Sequence, residues 1–465
     1  MVISDQYFEE DRRKWADWLI AAISAGLAVS VLYLWARHFY FGDSVNGTIS
    51  FPASDRPYMP AGQVARTILG VHYFGDFQIE YGYGHLLRSG TSPYVGPFIH
   101  DDQSPVSAVL FLVASFLGLT KAALIYFILT IGGIVIPLWY LLKPWDYPKR
   151  ILFVSIGFVS MGMIAALDRG NDIGITLALI TTALIAWKSE RWWLCGMALA
   201  LAIAFKGYPA ALLVVPIGLR KYRFAIFVGL AAVLSNLIAL VFFPGSIVSN
   251  MKNVIPALTS LDLHTGTQLL SWNIFSIIPK VVGLVSGPHI AMGLLVPSSK
   301  VLSIFSVLYL VGVWLVIGRA RVPQWCWGPL ALATVQVIVP LSYSYSAVWA
   351  ILGCLWFAQG ELIGIGRTSS HPEGCRALRI SMLATLVITM VPSAFLITGA
   401  KGFHTPLTAL LSPLLLTCTL AIALVETFRT RRAPSTAAPT GMVVDAVTGV
   451  DTLAVGASTG RINEW

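Results

Sequence analysis

PVSAVLFLVASFLGL, residues 105–119, decides how this chain is arranged, because it is apolar enough for a membrane and too short to cross one. At about 1.5 Å per residue, a helix of this length reaches about 22 Å, against a hydrocarbon core of about 30 Å. Longer apolar runs surround it, near 15–36, 122–142, 151–167, 172–187, 192–205, 208–219 and 222–243, then 301–318, 326–341, 346–360, 379–397 and 406–427. These predict an all-α polytopic membrane protein with about twelve transmembrane helices. Whether 105–119 adds a further crossing sets the side of every later loop. If it does not cross, 20 of the 31 Lys and Arg are cytoplasmic and 11 are outside; if it does, the division is 10 and 21. The positive-inside rule selects the first arrangement. Residues 105–119 are therefore expected to lie along, or dip into, the outer interface.

That choice fixes the expected plan. Residues 1–427 form the transmembrane domain, with both termini cytoplasmic. A first external loop covers about 38–121 and a second about 244–300, with short external turns at 167–171, 206–208, 342–346 and 398–405. The segment 428–465, rich in Ala, Ser, Thr, Pro and Gly, reads as a disordered cytoplasmic tail. Arg12-Arg13-Lys14 precedes the first run and no small-residue cleavage site follows it, so the first helix is expected to remain uncleaved.

Composition agrees. Of the 465 residues, 56% are hydrophobic and only 11% charged, with a mean hydropathy of +0.75. A soluble enzyme, a disordered chain and a secreted disulfide scaffold are all excluded. The net charge of +9 sits in short clusters between apolar runs, so no nucleic-acid partner is expected. The five cysteines (Cys195, Cys326, Cys354, Cys375 and Cys418) show no CxxC spacing and read as small hydrophobes. No internal repeat is evident, which counts against an inverted-repeat transporter.

In a chain so poor in charge, ionisable groups at the outer helix ends are the informative ones. The first loop holds GDFQIEYGYGHLLRSGTSPY, residues 75–94, in which Asp76 and Glu80 stand four apart and would share a helix face, near Tyr81, Tyr83 and His85. Asp101-Asp102-Gln103-Ser104 follow. The second point is LDRGND, residues 167–172, where Asp168 and Arg169 either pair with each other or present Arg169 to an anion, and Asn171 is placed to cap the next helix. The third is AFKGYPA, residues 204–210, where Gly-Tyr-Pro breaks a helix just after Lys206. That lysine either snorkels or meets a lipid-linked phosphate at the bilayer boundary.

The order of these motifs resembles glycosyltransferase family 87, of the C-type membrane superfamily that uses polyprenyl-phosphate sugars and includes bacterial mannosyl- and arabinofuranosyltransferases. The resemblance runs over roughly residues 15–427. It implies Asp76 as the catalytic base, with Gly90, Pro93 and Tyr94 ending that motif, Gly170 and Asn171 opening a helix, and Lys206 with Pro209 forming a Lys-x-x-Pro. It also implies interfacial helices in the first external loop and a bacterial plasma membrane as the setting. Two features depart from the family: the Asp76-to-Tyr81 spacing is one residue longer, and Pro340-Leu341-Ser342-Tyr343-Ser344-Tyr345 lacks the histidine that many members carry near Tyr345.

The expected chemistry is inverting transfer from a polyprenyl-phosphate sugar to a lipid or glycan acceptor at the extracytoplasmic face. One base takes the acceptor proton, and the leaving phosphate needs electrostatic stabilisation more than a proton. Asp76 is the expected base, with Glu80 and Asp102 in reserve; Lys206 and Arg169 are expected to bind the phosphate. Tyr81, Tyr345, Gln268 and Trp272 are candidate sugar or acceptor contacts. No clustered ligand set is present, so neither a metal nor another cofactor is expected. The rival readings are a lipid flippase or sugar transporter and an oligosaccharide ligase or polymerase. The latter needs several loop arginines, and residues 244–300 contain none.

Overall fold

In the computed structural model, the structure describes residues 17–26, 75–94, 104–143, 145–159, 172–259, 277–318, 380–385, 396–398 and 404–429, with isolated positions between them. The helices are α1 (Asp17–Gly26), α2 (Gly75–Arg88), α3 (Pro105–Ala114), α4 (Leu119–Leu141), α5 (Tyr147–Val159), α6 (Ile173–Lys188) and α7 (Trp192–Phe205). After them come α8 (Val214–Gly218), α9 (Tyr222–Ala239), α10 (Ile247–Thr259), α11 (Ile277–Ser286), α12 (Pro288–Gly318) and α13 (Leu407–Arg429).

Among the described residues, two helical stretches are long and apolar enough to cross a membrane, Leu119–Leu141 and Tyr222–Phe242. Of the about twelve expected crossings, these are the two that the described residues show at full length. These two are not core helices of a soluble protein, because most of their surface faces outward. Ile128, Leu129 and Ile136 on α4, and Ile226, Leu230 and Val233 on α9, are all more than half exposed. Helices this apolar and this uncovered belong in lipid, and the chain is a membrane protein.

Residues 105–119 form a ten-residue helix and a turn. Ser104 caps α3, its Oγ accepting the Ser107 N–H at 3.1 Å, and Pro105 takes the first turn, where it gives up no backbone bond. Ten residues rise about 15 Å, half a hydrocarbon core. The turn Ser115–Gly118 then separates α3 from α4. Helix α2 closes this turn from the side: Tyr81 Oη donates to the Leu117 carbonyl at 2.7 Å, and Arg88 Nη1 to the Ser115 carbonyl at 2.7 Å. Both carbonyls belong to this turn, outside either helical ladder.

The α2–α3 contact is set by Gly84, where any Cβ would overlap the Phe111 carbonyl. Overpacking ordinarily costs about 1–3 kcal/mol, and here the obstacle is backbone, which cannot rotate away. Gly84→Val is expected to lower the melting temperature of the detergent-purified protein by several degrees and to reduce sugar transfer with it. An unchanged melting curve would remove Gly84 as the determinant of this contact.

Helix α6 packs against both α4 and α7, α7 against α9, and α11 and α8 against α12. The main core joins α3, α4, α6, α7 and α9 to Leu332, Trp349, Ile351 and Leu352. A second core joins α12 and α13 to Leu378 and Met382. Tyr94 stacks on Phe243 with ring centres 5.5 Å apart and planes at 12°, in a cluster that also holds Leu87, Ala108 and Val254. Residues 87–108 and 240–254 therefore meet in one apolar cluster.

Three expectations change. The run at 208–219 is not one helix: Tyr208–Leu213 is 3₁₀ and α8 has five residues, because Pro209 and Pro216 interrupt the α ladder. The run at 301–318 begins earlier, at Pro288, since the polar Ser-Ser-Lys at 298–300 is tolerated inside α12. The all-α expectation omitted a small antiparallel hairpin, Leu396–Thr398 with His404–Pro406, in register Ile397 with Thr405.

Lys280, within the expected second external loop, is fully buried on α11, where loss of hydration pushes its ammonium down to about 7. The unfolded chain binds this proton more tightly, so stability should rise as pH increases from about 7 towards the ordinary lysine range. A Lys280→Met variant should lack that rise, as read from melting temperatures across the same pH series.

Candidate active site

The site is assembled where helices start and stop. Gly170 has φ +62°, a left-handed turn that glycine adopts without strain, and it brings the chain into α6. Asp172 occupies the cap position of α6, with its backbone carbonyl accepting the Thr176 N–H at 3.1 Å. Its carboxylate makes no capping bond to the helix. Instead Oδ1 lies 2.9 Å from Lys206 Nζ, and Oδ2 accepts from Ser107 Oγ at 3.4 Å. Lys206 ends α7 in extended conformation (φ −132°, ψ 115°), directly before the break at Gly207-Tyr208-Pro209.

The ion pair is thoroughly dry, with side-chain exposures of 5% for Lys206 and 0% for Asp172. Glu80 on α2 is 1% exposed. Glu80, Asp172 and Lys206 all act electrostatically on the buried phenol of Tyr126, so the three charges share one neighbourhood. Tyr126 is about seven residues into α4, which recesses the cluster by about 10 Å from that helix's first residue. An aromatic wall backs it: Phe77 lies 5.0 Å from Tyr126 and 5.6 Å from Phe111, centre to centre. On α2 the residues Phe77, Glu80, Gly84 and Leu87 repeat at helical spacing on the buried side, which is why Glu80 points inward.

The structure thus brings together Glu80 and Lys206 among the sequence-derived candidates. Asp76 lies in the first turn of α2, four residues before Glu80. Tyr81 is half-buried, with its hydroxyl bonded to Leu117, and His85 is exposed. Asp102, Asp168, Arg169, Asn171, Gln268, Trp272 and Tyr345 lie outside the described residues, as do residues 38–74 and 430–465.

Sequence reading missed Asp172, Ser107 and Tyr126. The signal for Asp172 was present: a lysine retained inside an apolar bundle requires a counter-charge, and Asp172 closes the LDRGND motif. Tyr126 and Ser107 carried no such signal inside their apolar runs.

The described residues thus form a helical, apolar-surfaced protein with an acid–lysine–acid cluster buried inside it. The family model of glycosyltransferase family 87 matches residues 104–340, and the chain belongs to that family. It is therefore a glycosyltransferase, taking a sugar from a donor to an acceptor. Ser107, Tyr126, Asp172 and Lys206 lie inside the matched segment, while Asp76 and Glu80 precede it. No curated protein matches the chain.

Proposed function

We propose that the protein transfers a sugar, mannose or arabinofuranose, from a polyprenyl phosphate to a lipid or glycan acceptor at the extracytoplasmic face of the bacterial plasma membrane. The observation that supports this most is the buried Asp172–Lys206 pair in the same cluster as Glu80, on the helix that also carries Asp76. A lysine kept out of water at the end of a lipid-facing bundle suits a phosphate whose prenyl chain stays in the bilayer.

In this mechanism Asp76 takes the proton from the acceptor hydroxyl as its oxygen attacks the anomeric carbon, with inversion. The bond to the phosphate oxygen breaks, and Lys206, assisted by Arg169, stabilises the charge that remains on the prenyl phosphate. Glu80 and Asp102 are the alternative bases, and Tyr81, Tyr345, Gln268 and Trp272 contact the sugar or the acceptor. Both termini face the cytoplasm.

The test is to incubate proteoliposomes with radiolabelled polyprenyl-phosphate mannose or arabinose and membrane lipids. Covalent incorporation from one donor and not the other is expected. Movement of the donor between leaflets without transfer would replace this reading with a flippase.

A further inference from the structure

Helices α6 and α7 carry the Asp172–Lys206 pair at one end and a basic surface at the other. α6 has 16 residues, so its last residue, Lys188, stands about 24 Å along the axis from its start. The turn after Lys188 supplies Arg191, and the turn from α8 into α9 supplies Arg220, Lys221 and Arg223. All five cations are exposed, and Glu190 is the one acid in the segments 187–194 and 217–224. The rings of Trp187, Trp192 and Phe224 join the two turns, their centres 4.9 to 6.1 Å apart. Lys221 Nζ lies 3.5 Å over the Trp192 ring and 5.3 Å over that of Trp187.

The two turns are built alike. The Arg191 N–H donates to the Ala186 carbonyl at 2.8 Å and the Lys221 N–H to the Pro216 carbonyl at 2.7 Å, the bond that closes a helix end. The residue before each, Glu190 (φ 55°) and Arg220 (φ 59°), takes the left-handed conformation usually left to glycine. The carbonyl ends of α6 and α8 are thus answered within the turns. The amide ends of α7 and α9 are different: no side chain caps either helix, and the cap positions hold Arg191 and Lys221. A helix start favours Ser, Thr, Asp or Asn, and negative charge. Sorting of positive charge to one membrane face accounts for cations at this end of the bundle, but not for their placement on two neighbouring, uncapped helix starts. An anion held against both turns accounts for it, because backbone N–H groups and cations then face the same ligand.

The depth of the site identifies the anion. The membrane-crossing stretch Tyr222–Phe242 begins here, so residues 220–223 stand at the level of the lipid headgroups. Trp193 and Tyr222, 69% and 53% exposed, flank the cations as interfacial aromatic side chains do. We propose that this surface binds the phosphate of an anionic phospholipid headgroup, between the starts of α7 and α9. Lys221, fixed over the two indoles, marks the site, and Arg191 and Arg223, one on each turn, supply paired donors suited to phosphate oxygens. The site is separate from the Asp172–Lys206 pair and stands whether or not the catalytic assignment does.

The experiment uses the full chain in neutral detergent and the binding of phosphatidylglycerol or phosphatidylcholine carrying the same fluorescent label on an acyl chain. Wild type is expected to prefer phosphatidylglycerol by at least about fivefold, the effect of one cation at an anionic surface. The double variant Arg191→Gln, Arg223→Gln leaves Lys221 on its indoles and should reduce that preference several-fold. Lys149→Gln, which removes a cation from another turn, where it pairs with Asp146, should keep it. Equal binding of the two lipids by wild type would overturn the proposal, a result that depends on no variant folding. A preference that survives the double variant, or that falls as far in Lys149→Gln, would overturn it too. Loss of the preference on adding inorganic phosphate, with chloride of equal ionic strength leaving it in place, would assign the site to a soluble phosphate and contradict the lipid.

Discussion

Asp76→Ala is expected to lower sugar transfer by at least about a hundredfold, within the range of about 10²–10⁴ that a positioned general base supplies. Its melting temperature should stay within a degree or two of wild type, since Asp76 stands in the first turn of α2, where a carboxylate's interaction with the helix dipole contributes about 1 kcal/mol or less. Donor affinity should barely change, because the base acts on the acceptor hydroxyl and not on the phosphate. Single-turnover rates with saturating donor are the measurement. Glu80→Gln provides the comparison: Glu80 sits in the charged cluster, so its loss should disturb donor binding as well as rate. If Glu80→Gln abolishes turnover and Asp76→Ala does not, the base is Glu80.

Lys206→Ala is the second large effect, and it divides into two parts. Breaking a buried ion pair by deleting one partner costs about 3–5 kcal/mol, because the other charge is left out of water. Here that charge is Asp172, which is completely buried. The variant should therefore melt well below wild type and also lose transfer. The double variant Asp172→Asn, Lys206→Met removes both charges and should recover most of the stability. It should not recover transfer, since nothing then stabilises the leaving phosphate. Recovery of both properties would reduce the lysine to a structural role.

The contrast between these two residues follows what could be read from the chain. Helices whose ends are written in local composition were legible. The runs at 192–205 and 406–427 became Trp192–Phe205 and Leu407–Arg429, and 122–142 became Leu119–Leu141. The break after Lys206 was legible too, since Gly-Tyr-Pro cannot continue an α ladder. The proline-interrupted segment at 208–219 was misread because its average apolarity hid two prolines that divide it into 3₁₀ and α turns.

The site was legible only in part, and for a related reason. Lys206 and Glu80 are conspicuous as charges in an apolar chain. Their relation to Asp172 is a matter of tertiary packing: the Ser107–Asp172 bond joins residues 65 apart, and the ion pair closes only because α6 begins where α7 ends. Attention to LDRGND fell on Asp168 and Arg169, whereas the carboxylate turned into the bundle is the last residue of that motif.

A cryo-EM structure with an uncleaved polyprenyl-phosphate sugar bound tests the central claim most directly. The account predicts the donor phosphate within about 4 Å of Lys206 Nζ, and the anomeric carbon on the side of α2, facing Asp76. A phosphate bound at the opposite end of the bundle, or with its sugar turned away from α2, would contradict it.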